Sequence, residues 1–312
     1  MRHTLVSLLL VLPSAAYGQQ PPLSPTMAGI GVLSTPDDEL NSAFTPDGRT
    51  VYFSKNLGDR TGVILSSQWD GSKWGTPEVA SFSGQYSDYD PFVTPDGSRL
   101  YWISDRPVQG KKGDYDIWMV EKQGTGWGSP IHLESPINTD AEEFYPSVSA
   151  NGTLYFSSTR PGGKGRGGDI YRARPEGERF GAPENLGDSV NSAGHDADPY
   201  IAPDESLLVF SSYDRPDGLG SGDLYVSYNH AGQWSPARHL EQGINSPVRE
   251  YCPIVSPDGR WLYFTSFRGL LDTPPAKPIT YRDLSARLRT PLNGSGNVYR
   301  ISAAAIQETS SR

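Results

Sequence analysis

Five segments of the chain share one alternation of apolar and polar positions. Phe44–Ser54 reads FTPDGRTVYFS, Val93–Ser104 VTPDGSRLYWIS, Val148–Ser158 VSANGTLYFSS, Ile201–Ser212 IAPDESLLVFSS and Val255–Ser266 VSPDGRWLYFTS. In each, an apolar start meets a Pro-Asp-Gly-type turn and leaves it as an alternating aromatic and aliphatic strand ending in Ser, the pattern of a β-hairpin. The turn residues Asp47, Asp96, Asn151, Asp204 and Asp258 lie 49, 55, 53 and 54 residues apart. A period near 50 in an all-strand pattern predicts a β-propeller.

The segments between the hairpins complete each blade. Third strands are expected at DIWMVEK from Asp116, DIYRAR from Asp169, DLYVSY from Asp223 and NVYRIS from Asn297, with Gly62–Ser67 a weaker first copy. The Asp or Asn opening these strands suits a cap on loop amides. Lys73–Ala80, Gly126–Leu133, Arg179–Leu186 and Gln233–Leu240 each carry an aromatic and then a Pro (Pro77, Pro130, Pro183, Pro236), which places them as outer fourth strands. Blade five lacks a fourth strand after its third, and Met27–Ser34 can supply it and close the ring. The expected fold is therefore all-β: five blades of four antiparallel strands, with a six-bladed ring the alternative. An insertion at 270–293 contains TYRDLSARLR, good for about two helical turns with Thr280 as cap, and reads as a surface loop or a lid.

Composition adds the compartment. Residues 1–18 read as a secretory signal: Arg2 and His3, the apolar run LVSLLLVLP, then the small residues SAAYG. Residues 19–26 are a Pro-rich leader, 27–303 one propeller domain and 304–312 a tail. The apolar run is too short to span a bilayer. The net charge is −9, and losing Arg2 with the signal makes it −10, which argues against a nucleic-acid binder. One cysteine, Cys252, allows no internal disulfide. A monomer in the periplasm or outside the cell is expected.

Counting back eight residues from each turn gives Glu39, Asp88, Glu143, Asp196 and Glu250, all acidic; two further on stand Asn41, Asp90, Tyr145, Asp198 and Cys252. At the ends of the second strands come Asn56, Arg106, Arg160, Arg215 and Arg268. Strand direction puts all of these, with His195, on the face opposite the turns. Paired acid and guanidinium rings read first as ion pairs that lock each blade. The functional reading is a polar channel mouth, with Glu39 the acid left free because blade one has Asn56 where the others have Arg. Asp88 with Asp90, or Asp196 with Asp198, could hold Ca²⁺, but no metal site is assigned. The chain contains no G-x-S-x-G, H-E-x-x-H or C-x-x-C motif and no P-loop. Gly162–Gly168, GGKGRGG, sits between strands and reads as a hairpin loop.

The repeats resemble the TolB-like, WD40-like β-propeller family of exported bacterial proteins, in the variant found beside OmpA-like domains. The resemblance rests on INTDAEEFYPSVSANGTLYFSSTRPGGKGRGGDIYRARPEGERFGAPENLGDSVNS (Ile137–Ser192) and covers roughly residues 27–303. It implies a binding or scaffold module of the cell envelope and brings no catalytic residue. The short tail after Ala303 departs from members carrying an OmpA-like domain, and the six blades and N-terminal domain of TolB itself are not visible. The sequence is thus read as a non-catalytic propeller that engages a protein, peptide or envelope glycan through its acidic and Arg-bearing loop face. The alternative is a glycoside hydrolase or lyase using carboxylates at the channel mouth.

Overall fold

A computed structural model describes residues 24–308 apart from 60, 110–112, 242 and 270–274; the expected signal at 1–18 lies outside them. Its five antiparallel sheets are the five blades of a propeller. Their inner strands are Asp38–Phe44, Asp88–Val93, Glu143–Val148, His195–Ile201 and Glu250–Val255. Each pairs outward with a second and a third strand, so every blade is an up-and-down meander. The hairpin turns form because their Asp or Asn side chain closes them: Asp47 accepts from the Thr45 hydroxyl at 2.6 Å and from Arg49 N–H at 3.0 Å. Gly48, Gly97, Gly152 and Gly259 follow at positive φ, and Glu205 takes the same conformation in blade 4.

The fourth strands are shorter than the sequence pattern suggests. Glu78–Val79, Ile131–His132, Glu184–Asn185 and Arg238–His239 are the two-residue pieces that pair with the middles of the third strands. The aromatics before the prolines belong instead to tip hairpins, in which Trp74, Trp127, Phe180 and Trp234 fold back on the third-strand ends at Trp69, Lys122, Pro175 and Asn229. Proline, with no N–H to give the ladder, separates the two pieces. Tip aromatics then reach the preceding blade: Trp127 Nε1 donates to Tyr52 Oη at 2.8 Å, and Trp234 meets Tyr155 edge-on.

Blade five is completed by the N-terminal segment, as expected, though by Thr26–Met27 rather than Met27–Ser34. Ala28 N–H adds a bond to Val298 O at 2.8 Å, after which Gly29 and Gly31, both at positive φ, turn the chain away. The insertion carries one helix, α1 (Tyr281–Arg287), with the Thr280–Asp283 capping box at its start. Among the described residues, no helix is long and apolar enough to cross a membrane.

Candidate functional site

The inner strands do not run straight. Every one shifts register in its middle, and the bulged residue (Asn41, Asp90, Tyr145, Asp198 or Cys252) sits at φ between 48 and 55°. Pro91, Pro146, Pro199 and Pro253 follow four of these five, and Pro inside a strand is tolerated at a bulge because no ladder bond is owed there. The bulges form a ring about the propeller axis. Asn41 N–H donates to Thr265 Oγ1 at 2.9 Å and Asp90 N–H to Ser54 Oγ at 3.2 Å, linking each bulge to the preceding blade. Tyr145 crosses the axis, its hydroxyl donating to Pro253 O at 2.8 Å from blade 3 to blade 5. A cavity of about 430 Å³ lies on the turn face and another of about 480 Å³, which holds acids and aromatic rings, on the loop face.

Asp90 and Asp198 lie in the loop-face cavity, on blades 2 and 4. Asp90 accepts from Asn41 Nδ2 at 3.5 Å and from the Tyr145 N–H; Asp198 accepts from the Ser211 hydroxyl and the Cys252 N–H. Among the described residues neither forms an ion pair. Burial, reinforced by the charge of Asp198, pushes Asp90 up to about 7. Burial likewise raises Asp198, against the pull of Ser211, His195, the Cys252 N–H and Arg249. The Cys252 thiol and the Tyr145 phenol are held well above their ordinary values by burial, so both stay neutral.

Two aromatic arcs wall this floor. Tyr89, Tyr115 and Phe144 step round one side with centroids 6.1 and 5.8 Å apart. On the other, Tyr251 stacks on Phe267 at 5.8 Å, and the exposed Arg249 guanidinium hangs over Tyr213, Tyr251 and Phe267. His195 Nδ1 accepts from Gly168 N–H at 2.6 Å, which leaves the ring proton on Nε2. Gly167 must be glycine, since a Cβ there would come within 2.5 Å of the same imidazole. The Gly-rich loop thus packs on blade 4 as a hairpin loop. Its partner strand start, Asp169, caps the Lys164 and Gly165 amides.

The sequence-derived site residues divide into two groups. Asp90, Asp198 and His195 line the cavity. Glu39, Asp88, Glu143, Asp196 and Glu250 do not: all five are fully buried and turned into the blade joints. Arg106 meets Asp88 at 2.9 Å, Arg160 meets Glu143 at 3.2 Å, Arg215 meets Asp196 at 2.8 Å and Arg268 meets Glu250 at 3.3 Å. Each guanidinium also donates to a carbonyl of the linker entering its blade (Phe82, Ile137, Val190 or Ile244) and lies between two rings of its own sheet, as Arg160 does between Phe156 and Tyr171.

Glu39 is not free, contrary to the expectation from Asn56. The residue facing it across the strand pair is Lys55, whose Nζ reaches it at 3.3 Å, while Thr35 donates both its N–H and its hydroxyl. The pairs proposed for Ca²⁺ are pulled apart for the same reason: Asp88 and Asp196 serve the arginines while Asp90 and Asp198 face the axis. Among the described residues, no cluster of three or more His, Cys, Asp or Glu side chains is placed to hold a metal. Arg249, Tyr213 and Tyr251 escaped the sequence reading. The prolines after the bulge positions were the available signal for the ring.

With this geometry the chain can be set beside known proteins. No family model matches it, and no curated protein matches it in sequence. Solved structures do. A putative TolB from Agrobacterium tumefaciens aligns with a TM-score of 0.50 at 17% identity, over 86% of this chain and 91% of that one. A glycoside hydrolase aligns at 0.55 and 10% identity, over 93% and 94%. The Bacillus subtilis arabinanase Arb43A aligns at 0.50 and 12%, over 86% and 95%. At such identities the likeness is one of fold, and it joins the chain to propellers with and without hydrolase names.

Proposed function

We propose that this chain is an exported, non-catalytic binding propeller of the TolB-like, WD40-like kind that engages a protein, peptide or envelope-glycan partner through its loop-face cavity. The observation that carries this reading is the cavity floor: two axial carboxylates that form no ion pair among the described residues, between two aromatic arcs, with Arg249 at the rim. Carboxylates below aromatic walls suit an amine-bearing group, such as a Lys side chain or an amino sugar, whose charge would satisfy both acids and whose carbon frame would lie on the rings.

The same unpaired acids favour a second reading, a glycoside hydrolase using Asp90 and Asp198. Binding is preferred because the ring's hydrogen bonds leave both carboxyls able to attract a cation but leave little oxygen surface for proton transfer to or from a substrate. Asp90 accepts from Asn41 and Tyr145, Asp198 from Ser211 and Cys252, and Asp90 keeps only 7% of its surface. A general acid and a general base each need an oxygen within reach of substrate.

Titration calorimetry with tri-lysine peptide and with chitosan oligomers, beside turnover of a panel of aryl glycosides, tests the choice. The expected result is saturable binding of a cationic ligand that Asp198→Asn weakens about tenfold or more, with no turnover. Turnover abolished in a folded Asp90→Asn or Asp198→Asn variant overturns the binding reading in favour of the hydrolase. Absence of binding by both cationic probes overturns the amine assignment.

A further inference from the structure

The five blades repeat one plan, so each serves as a control for the others. At the joint between blades 1 and 5, on the face carrying the Pro-Asp-Gly turns, three positions leave that plan and converge on one open groove of about 730 Å³.

The first is Trp69. It pairs with Trp74 across the tip hairpin of blade 1, at the register place held by Lys122, Pro175 and Asn229 in blades 2, 3 and 4. Trp74 packs on Phe44 of its own blade, whereas the one ring contact of Trp69 among the described residues is Trp74, edge-on at 5.2 Å, and Trp69 keeps 38% of its surface in solvent. A large aromatic left half-wet, where sister blades carry Lys, Pro or Asn, gains little from folding.

The second is Trp261, three residues past the turn Asp of blade 5, where blades 1, 2 and 4 have Thr50, Arg99 and Leu207. The third is Arg300. Its counterpart in blade 3 is Arg172, which also sits opposite a second-strand Tyr and is ion-paired at 3.0 Å with Glu184 of the fourth strand. In blade 5 the fourth strand is borrowed from the N-terminus, and Thr26 stands in register where Glu184 would be. Ring closure thereby strips the carboxylate from Arg300. Among the described residues its guanidinium has no ion pair, and its Nε is buried without a hydrogen-bond partner; the group lies over Trp261 at 4.2 Å, with Nη1 donating to Tyr263 Oη at 3.4 Å.

The groove rim adds the turn carboxylates Asp47, Asp70 and Asp258 and the guanidinium of Arg49. Three acids against two arginines disfavour an anion. Exposed indole for a flat C–H face, carboxylates to accept from hydroxyls and an unpaired guanidinium to donate to them together match a neutral sugar. We infer that this groove binds a neutral oligosaccharide, with a sugar ring stacked on Trp69 and Arg300 donating to its hydroxyls. It lies on the face opposite the axial carboxylates and does not depend on the function proposed for them.

Tryptophan fluorescence and titration calorimetry of the full chain with cellohexaose, xylohexaose, mannohexaose and arabinohexaose test this. At least one is expected to bind saturably and shift the tryptophan emission. Trp69→Lys, which installs the residue of the equivalent place in blade 2 and so preserves the fold, should weaken that binding about tenfold or more, and Arg300→Met should weaken it too. Asp198→Asn should leave it unchanged. Binding by none of the four, wild-type affinity in Trp69→Lys, or loss in Asp198→Asn instead would each overturn the assignment.

Discussion

Asp90 shows most plainly what a single position does in this protein. Its carboxyl is pushed from 3.8 to about 7 by burial and by Asp198. A carboxyl raised on folding binds its proton more tightly in the folded state, so its contribution to stability is full below about 4 and is lost as pH rises towards 7. Each tenfold difference in proton affinity between the folded and unfolded chain corresponds to about 1.4 kcal/mol. Asp90→Asn keeps the shape and removes the charge. Its melting temperature is therefore expected to exceed wild type at pH 8 and to converge with it at pH 5; a variant less stable than wild type at pH 8 would contradict the buried-acid account. Glu143 and Glu250, also raised by burial, push in the same direction. The turn acids Asp47, Asp96 and Asp204 are held low by hydroxyl and amide donors, so their share is lost only as pH falls below the usual carboxylate range.

Within blades 2 to 5, the repeated unit is the end of the second strand with its arginine. Arg160 holds Glu143, the Ser158 hydroxyl, two linker carbonyls and two aromatic faces at once, and only a planar, fork-shaped cation can do so. Arg160→Ala leaves Glu143 buried and unpaired and is expected to cost about 3–5 kcal/mol. Arg160→Lys keeps charge but loses plane and fork, so urea denaturation should show only partial recovery; full recovery would mean that charge alone suffices. This unit was legible in the sequence as an acid and an Arg at constant offsets from the turn. Its role as a joint rather than a mouth was not, because offset counting fixes which end of a strand a residue occupies but not which neighbour its side chain reaches. Lys55 makes the point: the expectation from Asn56 looked one residue too far along the strand.

For the whole ring, stability hangs on the contact between its ends. Thr26–Met27 and the Ala28 amide cover the outer edge of blade 5, which would otherwise expose an open strand. A chain expressed from Gln19 should melt with the full-length protein. One starting at Gly29 should melt roughly 5–10 °C lower, and equal melting temperatures would show that closure contributes nothing. Mass spectrometry of the chain recovered from a bacterial periplasm should find Gln19 as its first residue, as the proposed signal requires.

The repeat, the hairpins, the third strands and an expected count of five blades were legible in the chain, because a period near 50 and alternating apolar positions are local facts. Prolines follow four of the five bulge positions, but that signal shows a ring only once the blades are assembled. Which acids stand free depends on the assembled ring. Side-chain partners come from linkers and neighbouring blades distant in sequence, so Asp88 and Asp196 vanish into arginine joints while Asp90 and Asp198, two residues on, line one axial cavity. The same holds for Arg300, which has no ion pair among the described residues: the ring closes with a strand from the other end of the chain, and that strand brings Thr26 to the place of Glu184.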